Sequence, residues 1–275
     1  MALIKELCKI PSLPKIIWDR IQTNIIWWYN KILKRSHIEH RTFIVGCGHS
    51  GTSLLLAILG SHSRIFAVPY ESGLFKKSAR RIKFILKKLD NKVISLGKRH
   101  WVEKTPKHIY YIEKILKLVP SARIVLIIRD GRDVAMSIKT RTKKFEKGIR
   151  RWVKDNKAGQ QFWDHPQLLK IKYEDIIEDF QKTISLILNF IGENYESDVE
   201  QFHKKPKKFY SEIISKPESV HGKNHDQYRN WQINQKLFDG RKRWKREISE
   251  EEKTIFNNIA GPMLNEYDYT KDNEW

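Results

Sequence analysis

RTFIVGCGHSGTSLLLAIL, residues 41–59, is the stretch on which the fold of this chain turns. A β-rich apolar run, Phe43-Ile44-Val45, leads into a loop holding Gly46, Gly48 and Gly51, and the loop leads into a Leu-rich, helix-forming run. The pattern predicts strand, glycine-rich loop, helix. Glycines let backbone N–H groups turn inward as a nest. Thr52 and Ser53 add hydroxyls where a helix begins with the positive end of its dipole. Such a loop suits a phosphate; a tight β-to-α turn that binds nothing is the plain alternative.

The spacing from Gly46 to Gly51 is that of a nucleoside-triphosphatase loop. The next position, however, holds Thr52 and not the lysine that reaches the β- and γ-phosphates. Triphosphate hydrolysis is therefore disfavoured. A second buried strand is expected at 65–68, followed by Pro69-Tyr70-Glu71-Ser72-Gly73. Ligands of open α/β sheets gather beyond the carboxyl ends of strands, so Glu71 is placed across from the loop, although a lone loop glutamate is more often solvated surface. Residues 101–104 read as a short strand ending in Lys104, with Pro106 near the start of a helix over 107–119.

Residues 123–128, RIVLII, read as a strand buried on both faces. It ends in Arg129-Asp130-Gly131-Arg132-Asp133. A strand serving Mg²⁺ in phosphoryl transfer would end in an acid, whereas Arg129 binds anions through a planar fork. On the next helix Ser137 and Arg141, four apart, share a face with Asp133, so an arginine and a hydroxyl can converge on one phosphate. The alternative pairs the arginine with Asp133 and makes Ser137 a helix cap. Further expected elements are a helix over 145–164, a strand over 168–173, a helix over 180–191 stopped by Gly192, and a last helix from Ser249 to about Tyr267 with a capping-box start. Residues 196–246 are polar and aperiodic, and a loop of that length inside a domain is usually functional. Arg241 and Arg243 within it form a candidate anion clamp.

With 275 residues the chain is long enough for one large α/β domain, residues 41–275, with an amphipathic helical extension over 1–40. Trp18, Ile21, Ile25, Trp28 and Ile32 recur at helical spacing there, and Lys31, Lys34 and Arg35 make a basic end. Docking on the domain and lying in a membrane interface both fit that stripe. Residues 76–100 are basic and irregularly apolar, and are expected to line an acceptor cleft. Lys plus Arg number 53 against 32 Asp plus Glu, a formal charge of +21, so partners should be anionic: a phosphorylated cofactor, an acidic glycan, nucleic acid or a membrane surface. Two cysteines, Cys8 and Cys47, build no disulfide framework and have no metal-ligand spacing. A reducing, cytoplasmic setting is expected, peripheral to a membrane if the first helix lies on one.

Taken together these residues resemble the sulfotransferases that use 3′-phosphoadenosine 5′-phosphosulfate (PAPS), in the branch that includes tyrosylprotein sulfotransferases and many bacterial proteins. The resemblance spans residues 41–269. It rests on a GxxxSGTS-type loop after the first strand, on Arg129 with Ser137 eight and Arg141 twelve residues later, and on Tyr173-Glu174-Asp175 after a later strand. It implies a mostly parallel, P-loop-like sheet flanked by helices. By resemblance, His49, Ser50, Gly51, Thr52 and Ser53 hold the 5′-phosphosulfate, and Arg129, Ser137 and Arg141 hold the 3′-phosphate. Tyr173 touches the nucleoside, and Arg241 and Arg243 close over it. Glu71 falls at the general base and Lys104 at the lysine that stabilises the transferring group, with no metal required. The implied acceptor is a hydroxyl, on a carbohydrate or small molecule before a protein tyrosine, and an already acidic glycan would use the basic surface. No nucleic acid partner is expected. Two departures stand out: position 49 is His where the family has Arg or Lys, and the family's stabilising Ser has no evident counterpart in 211–239. The rivals are a nucleotide or small-molecule kinase and a non-catalytic basic module for polyanions.

Overall fold

In β4 (Ala122–Ile128) the side chains of Ile124, Leu126 and Ile128 face one side of a sheet and those of Val125 and Ile127 the other, none more than 1% exposed. A strand apolar on both faces must be covered on both. The computed structural model, which describes residues 14–32, 38–218, 224–271 and 275, shows both covers. Each such side chain taken from water contributes about 1.5–3 kcal/mol.

Five parallel strands make the sheet: β1 (His40–Gly46), β2 (Ile65–Ala67), β3 (His100–Lys104), β4 and β5 (Leu168–Lys172), in the order β2-β3-β1-β4-β5. One face carries α3 (Ala79–Ser95), α4 (Ile112–Leu118), α5 (Gly131–Thr142), α6 (Phe145–Gln160) and the terminal α11 (Glu250–Glu266). The other carries α2 (Thr52–Leu59), α7 (Tyr173–Glu178) and α8 (Phe180–Ile191). This is the mostly parallel α/β architecture expected. After β3 the chain crosses β1 to lay down β4, so the strand order switches direction around β1, and a crevice opens at the carboxyl ends there.

Details differ from the sequence pattern. The helix expected over 107–119 begins as a 3₁₀ turn, Pro106–Tyr111, in which buried His108 turns back to within 3.1 Å of Glu103. Tyr173 opens α7 instead of ending β5, because the Asp175 carboxylate accepts the Lys172 N–H and caps a new helix. The helix after Phe145 stops at Gln160. Within the segment expected to line an acceptor cleft, α3 turns Ile82, Leu86, Leu89 and Val93 into the core and leaves its basic residues outward. The long polar segment holds α9 (Asn224–Gln232) and α10 (Trp244–Glu247).

The first helix, α1 (Lys15–Ile32), lies on α3, but not through its predicted stripe. Asp19 pairs with Lys88 at 3.0 Å, Asn24 accepts from Lys87 at 2.8 Å, and the Thr23 carbonyl accepts from Asn91 at 3.0 Å. Ile21 and Trp28 are exposed. The Lys31 side chain, residues 34–35 and Cys8 lie outside the described residues. Among the described residues no helix is long and apolar enough to cross a membrane.

Candidate active site

The glycine-rich loop folds as a cradle. Gly46 ends β1 at φ 149°, where a Cβ would sit 2.4 Å from the Ile127 carbonyl oxygen, so the loop can leave β1 beside β4 only with glycine there. Gly51, at φ 90°, is the N-cap of α2 and supplies no side-chain cap. The first N–H groups of that helix are left to face the crevice with the positive end of its dipole. Ser50 is fully buried, and its hydroxyl has no partner among the described residues. A buried unpaired hydroxyl beside uncapped amides fits an anion held there. From α6, Arg151 lies against the loop: a Cβ on Gly48 would be 2.4 Å from its guanidinium.

Arg129, Ser137 and His49 come together at the loop. Arg129 donates to the His49 carbonyl at 3.2 Å, and His49 Nδ1 is 2.9 Å from Ser137 Oγ. Arg129 is 3.8 Å from Asp133, so one guanidinium serves both the loop and the helix that follows β4. Its Nε is buried without a partner among the described residues. Arg141, one turn beyond Ser137, is 3.0 Å from His225 Nε2. His49 is no substitute for a permanent cation. Burial, then the charges of Arg141 and Arg151, push its pKa down to about 3, so the ring is neutral near pH 7.

The second half of the site gathers around Glu71. Lys104, the last residue of β3 and fully buried, donates to Glu71 Oε1 at 2.6 Å. Arg229 of α9 reaches the same oxygen at 2.7 Å and Ser53 Oγ at 3.4 Å. Burial pushes the Glu71 carboxyl up, but the charges of Lys104 and Arg229 and their hydrogen bonds outweigh it and hold the group below the ordinary range. It is therefore ionised near pH 7 and able to accept a proton.

Glu103 holds both halves of this pair from beneath. It is fully buried, and its Oε1 accepts from the Ser72 N–H at 3.0 Å, the Ser72 hydroxyl at 2.8 Å and the Thr105 hydroxyl at 2.5 Å. Ser72 follows Glu71, and Thr105 follows Lys104. One buried carboxylate thus fixes the neighbours of both functional side chains. Burial raises its carboxyl, and the bonds and charge of His108, with Thr105 and Ser72, bring it below the usual range.

Tyr173 is 4% exposed, wedged between Gly51 and Arg129, whose guanidinium stands 4.3 Å above the ring. In this structure it braces the loop. Glu174 accepts the Asp130 N–H at 3.0 Å and the Tyr269 hydroxyl at 3.1 Å, tying the end of β4 to the terminal segment. Residues 240–244 strap across this end: Gly240 O accepts from Arg129 at 2.5 Å, and Asp133 accepts the N–H groups of Lys242 and Trp244. The expected clamp arginines are engaged with acids, Arg241 with Asp239 at 3.0 Å and Arg243 with Glu247 at 2.6 Å. Arg243 also donates to Thr140 on α5, one turn beyond Ser137.

A groove of about 1130 Å³ opens beside the loop, bordered by Lys76, Lys107, Arg141, Lys144, Arg151 and Tyr110. Of the residues expected from sequence, two sets come together: the loop with Arg129 and Ser137, and Glu71 with Lys104. Arg141 lies farther out on the groove, and Arg241 and Arg243 face their acids. Sequence reasoning missed Glu103, Arg151 and Arg229. A carboxylate inside a buried strand was a usable signal for Glu103; Arg229 sits in an aperiodic polar segment with no local signal.

Comparison with known proteins agrees with this fold. The sulfotransferase family model matches residues 82–197, a span that holds Lys104, Arg129, Ser137, Arg141 and Tyr173. A sulfotransferase domain from the curacin biosynthetic pathway superposes with a TM-score of 0.55 at 16% identity, covering 83% of this chain and 98% of that one. The sulfotransferase domain of the Synechococcus PCC 7002 olefin synthase gives 0.53 at 15% identity, covering 83% and 96%. A mouse sulfotransferase crystallised with PAP gives 0.53 at 14% identity, covering 85% and 90%. By sequence, a protein of Aquifex aeolicus is 23% identical over 212 residues, 62% of this chain, and the match spans 28% of that protein's length.

Proposed function

From its sulfotransferase fold and family match, we infer that this chain is a PAPS-dependent sulfotransferase that moves a sulfuryl group onto an acceptor hydroxyl. The observation that carries the reading is the Glu71–Lys104 pair at 2.6 Å, set at the ends of neighbouring strands beside an anion cradle. Bound PAPS would supply an activated sulfuryl group on a phosphate leaving group. The loop from His49 to Ser53 would hold the 5′ end, with Ser50 Oγ and the uncapped amides of α2 as donors. Arg129 and Ser137 would meet the 3′-phosphate, with Arg141 and the strap arginines Arg241 and Arg243 at its margin, and Tyr173 would back the nucleoside end.

Glu71 accepts the acceptor hydroxyl proton as the new oxygen–sulfur bond forms and the sulfur–phosphate oxygen bond breaks in line. The electron pair leaves on the phosphate oxygen. General bases contribute roughly 10²- to 10⁴-fold in rate. Lys104 offsets negative charge at the transferring group, as preorganised donors do. The acceptor is a hydroxyl of a carbohydrate or small molecule, ahead of a protein tyrosine. One that already carries anionic groups, such as an acidic glycan, finds cations matched along the groove of Lys76, Lys107 and Lys144.

The test is transfer of ³⁵S from labelled PAPS to a panel of neutral and acidic oligosaccharides, phenols and tyrosyl peptides, using the protein and its Glu71→Gln variant. The reading expects label on at least one hydroxyl acceptor and a loss of at least about 10² in the variant. Absence of transfer to the whole panel, or equal rates in the two proteins, contradicts it.

A further inference from the structure

The loop of residues 46–53 contains neither lysine nor arginine, and its one basic side chain, His49, is neutral near pH 7. Charge that develops on the leaving oxygen therefore needs a cation from elsewhere. Arg229 is placed to give one. Its Nη2 lies 2.7 Å from Glu71 Oε1 and 3.4 Å from Ser53 Oγ, and so it spans the carboxylate on one side of the crevice and the first turn of α2 on the other. An in-line transfer between a hydroxyl at Glu71 and a leaving group in the loop passes through that gap.

The guanidinium is held there, not dangling. It lies 3.9 Å over the ring of Tyr210, whose hydroxyl donates to Ser53 Oγ at 3.1 Å. The next residue, Asn230, is fully buried; its Oδ1 accepts from the N–H groups of Phe209 and Tyr210 at 2.9 and 3.4 Å, and its Nδ2 donates to Ile213 O at 3.1 Å. One asparagine thus fixes both the helix that carries Arg229 and the irregular segment that carries its stacking partner. Such preorganisation is what makes a cation effective on charge that appears only in the transition state. Among the described residues Asp226, 3.6 Å from Nη1, is the one other acid paired with it.

We infer that Arg229 is a catalytic residue, the permanent cation that the loop lacks, presenting its guanidinium to the transferring sulfuryl group and the leaving phosphate oxygen between Glu71 and Ser53. The segment 211–239, where a stabilising serine is expected by resemblance, supplies an arginine to that task. In the same position Arg229 orients Glu71 before the acceptor arrives, and releases part of that contact to the transferring group. The inference rests on the sulfuryl-transfer reading.

The test compares the unmodified protein with Arg229→Ala and Arg229→Lys. Removing the cation should lower kcat by about 10²- to 10³-fold, with the lysine variant between. Millimolar guanidinium should restore part of the alanine variant's rate and none of Glu71→Gln's. Three readouts do not need turnover. Calorimetric affinity for PAP should stay within about threefold, since Arg129 and Ser137 meet the 3′-phosphate. Affinity of inorganic sulfate for the PAP complex should fall at least about tenfold. The Glu71 carboxyl, followed by ¹³C NMR without ligands, should titrate at higher pH in the alanine variant. An alanine variant with kcat within threefold overturns the inference. So does one that loses rate, PAP binding and thermal stability together without guanidinium rescue, for Arg229 is then a structural tie. If the unmodified protein binds PAP but transfers to nothing, the proposed function falls while a retained sulfate effect keeps Arg229 as an anion ligand; loss of neither sulfate binding nor rate sinks Arg229 alone.

Discussion

Replacing Glu103 with alanine should be among the most damaging single changes in this protein. The side chain is fully buried and its Oε1 satisfies three donors, the N–H and hydroxyl of Ser72 and the hydroxyl of Thr105, while Oε2 lies 3.1 Å from His108 Nδ1. Alanine removes the acceptor of the Ser72 N–H and of both hydroxyls, and the carboxylate that faces the His108 ring. Hydroxyls can turn elsewhere, but the Ser72 N–H cannot, and each stranded buried group costs about 1–3 kcal/mol. Removing a buried carboxylate that three donors share typically costs about 3–5 kcal/mol, and we take that range for the whole. For a chain of this size it corresponds to a fall in Tm of about 6–20 °C. Glu103→Gln keeps the shape and one acceptor oxygen, and should cost about 1–2 kcal/mol. The pH dependence has a definite sign. Because the folded carboxyl is held below its ordinary value, its contribution is complete above the unfolded value, about 4.3, and is lost as pH falls through the lower folded one. Denaturant unfolding of the three proteins at pH 7 and at pH 3.5 reads all of this. A deficit for the alanine variant under about 1 kcal/mol at pH 7, or one that widens on acidification, refutes the reasoning.

Two further outcomes follow from the loop. Gly46→Ala forces a Cβ onto the Ile127 carbonyl oxygen at 2.4 Å and a strained φ of 149°; it should destabilise by roughly 3 kcal/mol or more and abolish PAP binding, as unfolding curves and calorimetry would show. His49 is held to about 3, so between that value and the unfolded 6.5 the unfolded chain binds the extra proton and stability is lost as pH falls below about 6.5. His49→Gln should therefore flatten the stability–pH curve over pH 4–6.5 and leave the pH–rate profile from pH 6 to 8 unchanged in shape; an inflection that disappears in the variant would show that the imidazole titrates in turnover.

Much of this was legible in the sequence because the strands are buried on both faces and therefore apolar without interruption, as in 123–128, and because glycines at 46 and 51 mark a loop that only they can form. The residues at or just beyond strand ends, Glu71, Lys104 and Arg129, were placed near one another by topology, because in a parallel sheet those ends share one crevice, while the roles of Glu71 and Lys104 came from the resemblance. What the sequence did not display depends on contacts between distant segments. Arg229 acquires its place from Tyr210 and Asn230, a packing arrangement with no periodicity to read. The α1 stripe misled because Asp19, Thr23 and Asn24 find polar partners on α3 and leave Ile21 and Trp28 outward. Arg241 and Arg243, read as a clamp from charge alone, are paired with Asp239 and Glu247, acids that lie within four residues of them.

The central claim is that the cradle and Arg129 hold a 3′-phosphorylated adenosine nucleotide. It is tested most directly by calorimetric titration with PAP, ADP and ATP in the absence of metal, with Arg129→Ala as control. Micromolar PAP binding, at least about tenfold tighter than ADP and lost in the variant, is the predicted result. Equal binding of all three nucleotides, or binding that requires Mg²⁺ and favours ATP, would contradict it.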